Sequence, residues 1–161
     1  MNETLPTPTV DAPPAAAAPA AHPLIARLLA CTGGVEVRPA DTEAFEAADG
    51  DAVLFFGGDP VRFPEALDVA VVLPELLAAA GRRMRVGVVP RDAEDAVARR
   101  YAVQRWPSLV LLRDGGYLGT LSGMQDWDVF VEALRTLLAR TPGRRPAATI
   151  AIHAADAAAC H

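Results

Sequence analysis

Lysine is absent from this 161-residue chain: all 15 basic side chains are arginine, which reads as compositional bias of the genome and not as mechanism. Basic charge is also the minority. The net charge of -5 and pI near 5.1 exclude a general nucleic-acid binder, whose footprint is a basic face. Cysteine is scarce. The two present, Cys31 and Cys160, lie far apart in sequence and form neither a disulfide framework nor zinc-ligand spacing. A bridge between them is one reading, and a reducing cytoplasm is the simpler one. His22, His153 and His161 are too scattered to make a metal site, so no metal or cofactor is expected. No apolar run approaches the ~20 residues needed to span a bilayer. The first residues, M-N-E-T-L-P-T-P-T-V-D-A-P-P, lack the basic and apolar regions of a secretory signal. The expectation is a soluble, cytoplasmic protein.

Hydrophobic residues make up 52% of the chain, but much of that is alanine near the two ends, so a core must come from the middle. Residues 1–22 are rich in proline and alanine and are expected to be extended and mobile. Residues 141–161 open with T-P-G-R-R-P and are expected to form a second loose tail. One domain is expected over 23–140, long enough for its own core.

Within that domain the patterning alternates. Leu24, Ile25, Leu28 and Leu29 form a helical stripe that stops at Gly33-Gly34. Val35 to Val37 is a short strand, 42–48 a short helix, and Ala52 to Phe56 a continuous apolar run suited to a central buried strand. Residues 59–64, D-P-V-R-F-P, form a loop. A helix follows over about 65–80, with Leu67, Val71, Leu76 and Leu77 apolar and Pro74 inside it, where it should kink the helix. Met84 to Val89 is a strand. Asp92 is placed to cap the next helix, whose acids lead and whose arginines trail. Ser108 to Leu112 and Tyr117 to Leu121 flank Asp114-Gly115-Gly116, a hairpin signal and not a phosphate loop. The last helix, about 126–140, carries Trp127, Phe130, Val131, Leu134, Leu137 and Leu138 on one face. Trp127, Tyr101 and Phe130 are expected in the core, and Cys31 reads as buried packing. Helices alternating with strands before a final hairpin predict an α/β fold with a mixed sheet covered on both faces.

That order is similar to the thioredoxin fold. The likeness is closest at Tyr101-Ala102-Val103-Gln104-Arg105-Trp106-Pro107-Ser108-Leu109, where it implies a cis bond before Pro107. The redox motif does not carry over. Counting back from Pro74, its two cysteine positions fall on Ala66 and Val69; counting forward from Phe56, they fall nearer Val61 and Pro64. No cysteine occurs between 32 and 159, so a dithiol mechanism has neither attacker nor resolving partner there.

More of the chain resembles one redox-dead group, the HyaE/HupG/HoxO hydrogenase expression proteins. The resemblance runs over roughly 24–140. It is carried by F-F-G-G-D-P-V-R-F-P-E-A-L-D with V-V-L-P-E-L-L, and by R-Y-A-V-Q-R-W-P-S-L-V-L-L-R-D-G-G-Y-L-G-T-L-S-G-M-Q-D-W. It implies a chaperone, not an enzyme. The implied client is the precursor of the [NiFe]-hydrogenase small subunit with its twin-arginine signal peptide, bound before export; other hydrogenase accessory proteins are further implied partners. The alternatives are a thioredoxin-like scaffold or a monothiol redox protein acting on another client.

A twin-arginine segment needs carboxylates, and the apolar stretch after it needs a groove. Between 43 and 68 stand Glu43, Glu46, Asp49, Asp51, Asp59, Glu65 and Asp68, against Arg62 alone. The candidate partner-binding residues are Asp59, Glu65, Asp68, Trp106 and Pro107. A solvated acidic face is the plainer reading of the carboxylates, and a plug for the space of the lost dithiol that of Trp106. No catalytic residue is expected. Cys160-His161 reads as a frayed terminus.

Overall fold

The computed structural model describes residues 20–147; the expectations for the tails over 1–19 and 148–161, including His153, Cys160 and His161, lie outside the described residues. Helix α1 (Pro23–Thr32) has proline at its first position and ends at Gly33, whose φ of 64° is open to glycine without a Cβ penalty. Then follow β1 (Val35–Glu36), α2 (Thr42–Ala47), β2 (Asp51–Phe56), α3 (Glu65–Ala79), β3 (Met84–Val89), a 3-10 turn (Arg91–Ala93), α4 (Glu94–Tyr101), β4 (Ser108–Arg113), β5 (Gly116–Ser122) and α5 (Trp127–Leu138).

The strands form one sheet in the order β1-β3-β2-β4-β5. The first three are mutually parallel, and β4 and β5 run antiparallel to their neighbours. Strand β2 is central and buried along its whole length, so its run is continuously apolar because both faces are covered. Its side chains divide by the pleat. Val53 and Phe55 join α1, α3 and α5 in one cluster; Ala52, Leu54 and Phe56 join Phe45 of α2 and Val97, Ala98 and Tyr101 of α4 in the other. This is the thioredoxin-like mixed sheet expected from the sequence, with helices on both faces. The Trp106–Pro107 bond is cis.

Several local expectations are corrected. The buried face of α3 is Ala66, Val69, Ala70, Leu73, Leu76 and Leu77; Val71 points outward at 52% exposure. Pro74 sits inside this helix and leaves one backbone bond unmade. Asp92 does not cap α4: it lies in the preceding 3-10 turn and pairs with Arg38 at 3.0 Å. Tyr101 and Phe130 are core residues, but Trp127 is 46% exposed. Spacing puts Trp127 on the α5 stripe, yet as the first helical residue it has no preceding turn beside it. Cys31 is exposed as well. At 100° per residue it lies roughly 90° around α1 from the centre of the apolar stripe.

Residues 141–147 stay on the β5 edge of the sheet. Gly143 and Tyr117 exchange two backbone hydrogen bonds of 2.9 Å, and Arg145 reaches Glu46 at 3.2 Å.

Candidate functional site

Register fixes which loops meet. Phe56 pairs with Val89 in parallel and with Ser108 antiparallel, and Ser108 in turn faces Ser122. The end of β2, the end of β3, the start of β4 and the end of β5 therefore share one end of the sheet. The loop 57–64, the turn 90–93, the cis-Pro107 corner and Gly123 gather there. The Gly123 N–H donates to the Pro107 carbonyl at 2.8 Å. Open α/β sheets place ligands at such carboxyl ends of their parallel strands.

A thioredoxin-like protein would carry its dithiol here. Helix α3 starts at Glu65, so the register counted from Pro74 places the two positions at Ala66 and Val69 in its first turn, 2% and 1% exposed. In that register two buried apolar side chains stand where the thiols would be. At the same end of the sheet, Phe63 and Trp106 stack with ring centroids 6.1 Å apart and planes inclined by 26°. Gly58, at φ 70°, is clasped between them: a Cβ there would come within 2.8 Å of Phe63 and 2.9 Å of Trp106.

Beneath the loop lies Glu94, the first residue of α4 and only 5% exposed. Its Oε1 accepts the Gly58 N–H at 2.9 Å. Burial pushes the Glu94 carboxyl above its ordinary value, against the pull of the Gly58 and Gly57 amides and of Arg91. The Trp106 indole N–H lies near the same carboxylate but is buried without a well-formed hydrogen bond. A cavity of about 520 Å³ opens beside Glu94, floored by Ile25, Phe55, Ala66, Leu67 and Val88.

The predicted acidic residues separate on folding. Asp59 is already paired: its Oδ1 lies 2.7 Å from Arg91 Nη1 and accepts the Val61 N–H at 2.9 Å. Those bonds hold its carboxyl below its usual value. Glu65 and Asp68, in the first turn of α3, form no ion pair among the described residues and remain open to a cation. Glu46 is buried against Arg100 at 2.7 Å and the Tyr101 hydroxyl at 3.2 Å. Asp51 starts β2, at the opposite end of the sheet, and is bound by Arg113 and Arg82. The run of acids is thus no single patch. Three of its carboxylates are matched by arginines distant in sequence.

Trp106 and Pro107 do lie together with Glu65 and Asp68 at this end. Sequence reasoning missed Glu94, Phe63 and Gly58. Glu94 looked like one more acid in a helix's first turn, and its burial is a tertiary fact. Among the described residues no group of three His, Cys, Asp or Glu side chains could hold a metal. No described helix is long and apolar enough to cross a membrane.

The sequence is similar to those of known proteins. HoxO, a hydrogenase expression/formation protein of Cupriavidus necator, is 44% identical over 159 residues, spanning 97% of this chain and 94% of HoxO. HupG of Bradyrhizobium diazoefficiens, described in the same words, is 44% identical over 109 residues, 68% of this chain and 74% of HupG. A crystal structure of a hydrogenase expression/formation protein, hupG of Rhodopseudomonas palustris, is 40% identical and covers 65% of this chain and 95% of that one, with a TM-score of 0.46. Residues 24–130 match the family described as hydrogenase-1 expression protein HyaE. The chain belongs to the HyaE family of hydrogenase expression proteins, and its place is in hydrogenase maturation.

Proposed function

We propose that the protein is a non-catalytic chaperone that binds the precursor of the [NiFe]-hydrogenase small subunit, together with its twin-arginine signal peptide, in the cytoplasm before export. One observation carries this reading. The sheet end where a thioredoxin-like protein would hold its thiols has buried Ala66 and Val69 and the Phe63–Trp106 stack instead, with Glu65 and Asp68, which form no ion pair among the described residues, at the start of α3. Such a site offers aromatic and apolar surface plus negative charge and no electron-transfer group. An extended cationic-then-apolar peptide fits that chemistry.

Trp106, Pro107, Glu65 and Asp68 are its contact residues in this reading. Asp59 takes part through the loop it shapes with Arg91. The test is co-purification of the tagged protein with the small-subunit precursor, with and without the signal peptide. Recovery that depends on the signal peptide is expected. Recovery of other hydrogenase accessory proteins without the precursor would favour a scaffold role.

A further inference from the structure

The cavity beside Glu94 has a charge pattern that the surface acids do not. Its charged lining comprises Glu36, Arg38, Arg91, Asp92 and Glu94. Arg38 is bound to Asp92 at 3.0 Å, and Arg91 to Asp59 at 2.7 Å. Both cations are therefore occupied. Glu36, exposed at the rim, and Glu94, buried at the floor, have no ion-pair partner among the described residues. The result is a recess with an apolar lining and a buried carboxylate that is held by backbone amides but has no ion pair among the described residues. Its volume of about 520 Å³ lies within the usual range for ligand sites.

We propose that this recess receives one guanidinium of the bound signal peptide on the Glu94 carboxylate, with Glu36 at the rim and the apolar floor taking the arginine methylenes. The inference rests on the client reading above and assigns the residue that reads arginine. Asp68 is exposed and Glu65 half-buried, so an ion pair at either is more screened than one in the recess. A carboxylate held in a poorly solvated recess interacts more strongly with an incoming cation. A guanidinium meets it with a planar fork of donors, which the point charge of a lysine ammonium does not reproduce. The Gly58 amide donates to the same carboxylate, so arrival of the cation is reported to the loop that holds Gly58 and Phe63 and, through the contact of Gly58 with Trp106, to the cis-Pro107 corner.

The experiment uses the full chain and two synthetic peptides, the twin-arginine signal peptide and the same peptide with both arginines replaced by glutamine. The wild type should prefer the arginine peptide by about tenfold or more, the scale of one charged hydrogen-bonded contact. Glu94→Gln keeps an oxygen for the Gly58 N–H and should bring the two affinities to within about twofold. A second readout needs no variant. In the wild type, the Gly58 amide and Trp106 indole N–H resonances should shift with the arginine peptide and stay in place with the glutamine peptide. The proposal is overturned if Glu94→Gln discriminates as well as the wild type, or if the arginine peptide binds while both resonances stay unmoved. A wild type that binds neither peptide nor precursor is a different result: it removes the client reading on which this one stands.

Discussion

Asp59 and Arg91 form an ion pair of 2.7 Å across the mouth of the candidate site, joining the loop after β2 to the turn after β3. The same Asp59 oxygen also accepts the Val61 amide. This carboxylate, which by sequence alone reads as a free surface acid, is part of the scaffold. A client arginine would have to displace Arg91 to reach it.

The electrostatic prediction follows from that difference. Glu65→Arg with Asp68→Arg should weaken precursor binding, each exposed pair contributing about 0.2–1 kcal/mol before repulsion is added. The loss should fade as salt rises, because charges at such range are screened over ~8 Å at 0.15 M. Asp59→Asn should instead change the loop, seen as altered Trp106 fluorescence before any client is added. Normal binding by the double reversal at low salt would show that these two acids take no part.

Stability should depend on pH with two opposing contributions. Burial of Asp51 works against its ionisation, but the hydrogen bonds and charges of Arg113 and Arg82 outweigh it and hold the carboxyl below its usual value. Its contribution is present above the unfolded value near 3.9 and is lost as pH falls through the lower folded value. Glu94 has the opposite sign. Its folded value is raised by burial, so ionising it costs stability, and that cost disappears as pH falls through the folded value. Asp51→Asn should therefore destabilise at pH 7, by about 3 kcal/mol for a largely buried pair, and converge on the wild type in acid. Glu94→Gln should gain on the wild type as pH rises from about 4.3 toward 7. Denaturant melts across pH would show both slopes, and a parallel pair of curves would contradict the assignments.

Redox chemistry should be absent at the site. Adding the protein should not accelerate reduction of insulin by dithiothreitol, since neither register of the thiol positions, Ala66 and Val69 or Val61 and Pro64, holds a cysteine. Cys31 is exposed on α1 and should react with thiol reagents, yet Cys31→Ser should leave precursor binding intact. Turnover that needs Cys31 would instead support the monothiol reading.

Gly58→Ala should be disproportionately damaging for a single methyl group. The residue sits at φ 70°, and the new Cβ would meet Phe63 and Trp106 at under 3 Å. A left-handed non-glycine residue costs about 1–2 kcal/mol before any clash. Lower thermal stability and a shifted Trp106 emission are expected, the latter read cleanly in a Trp127→Phe background. Unchanged melting and emission would mean that the loop and the stack can move apart freely.

The fold was legible in the sequence because burial leaves a periodic trace. The unbroken apolar run of Ala52 to Phe56 marked a strand covered on both faces. Asp114-Gly115-Gly116 marked the hairpin, and the Trp106-Pro107-Ser108 corner marked the family. Missing cysteines excluded a dithiol without any coordinates. Periodicity could not say where a stripe runs off the end of its element, so Trp127 came out exposed, and Cys31 lies off the α1 stripe altogether. Charge was the least legible property. A carboxylate's role depends on which arginine reaches it, and Arg91, Arg100 and Arg113 come from a turn, a helix and a strand elsewhere in the chain to meet Asp59, Glu46 and Asp51. Only the tertiary structure decided that these acids are matched while Glu94, buried beside a cavity, is not. Coulomb interaction and desolvation act through space and surroundings, and neither is written in the order of the residues.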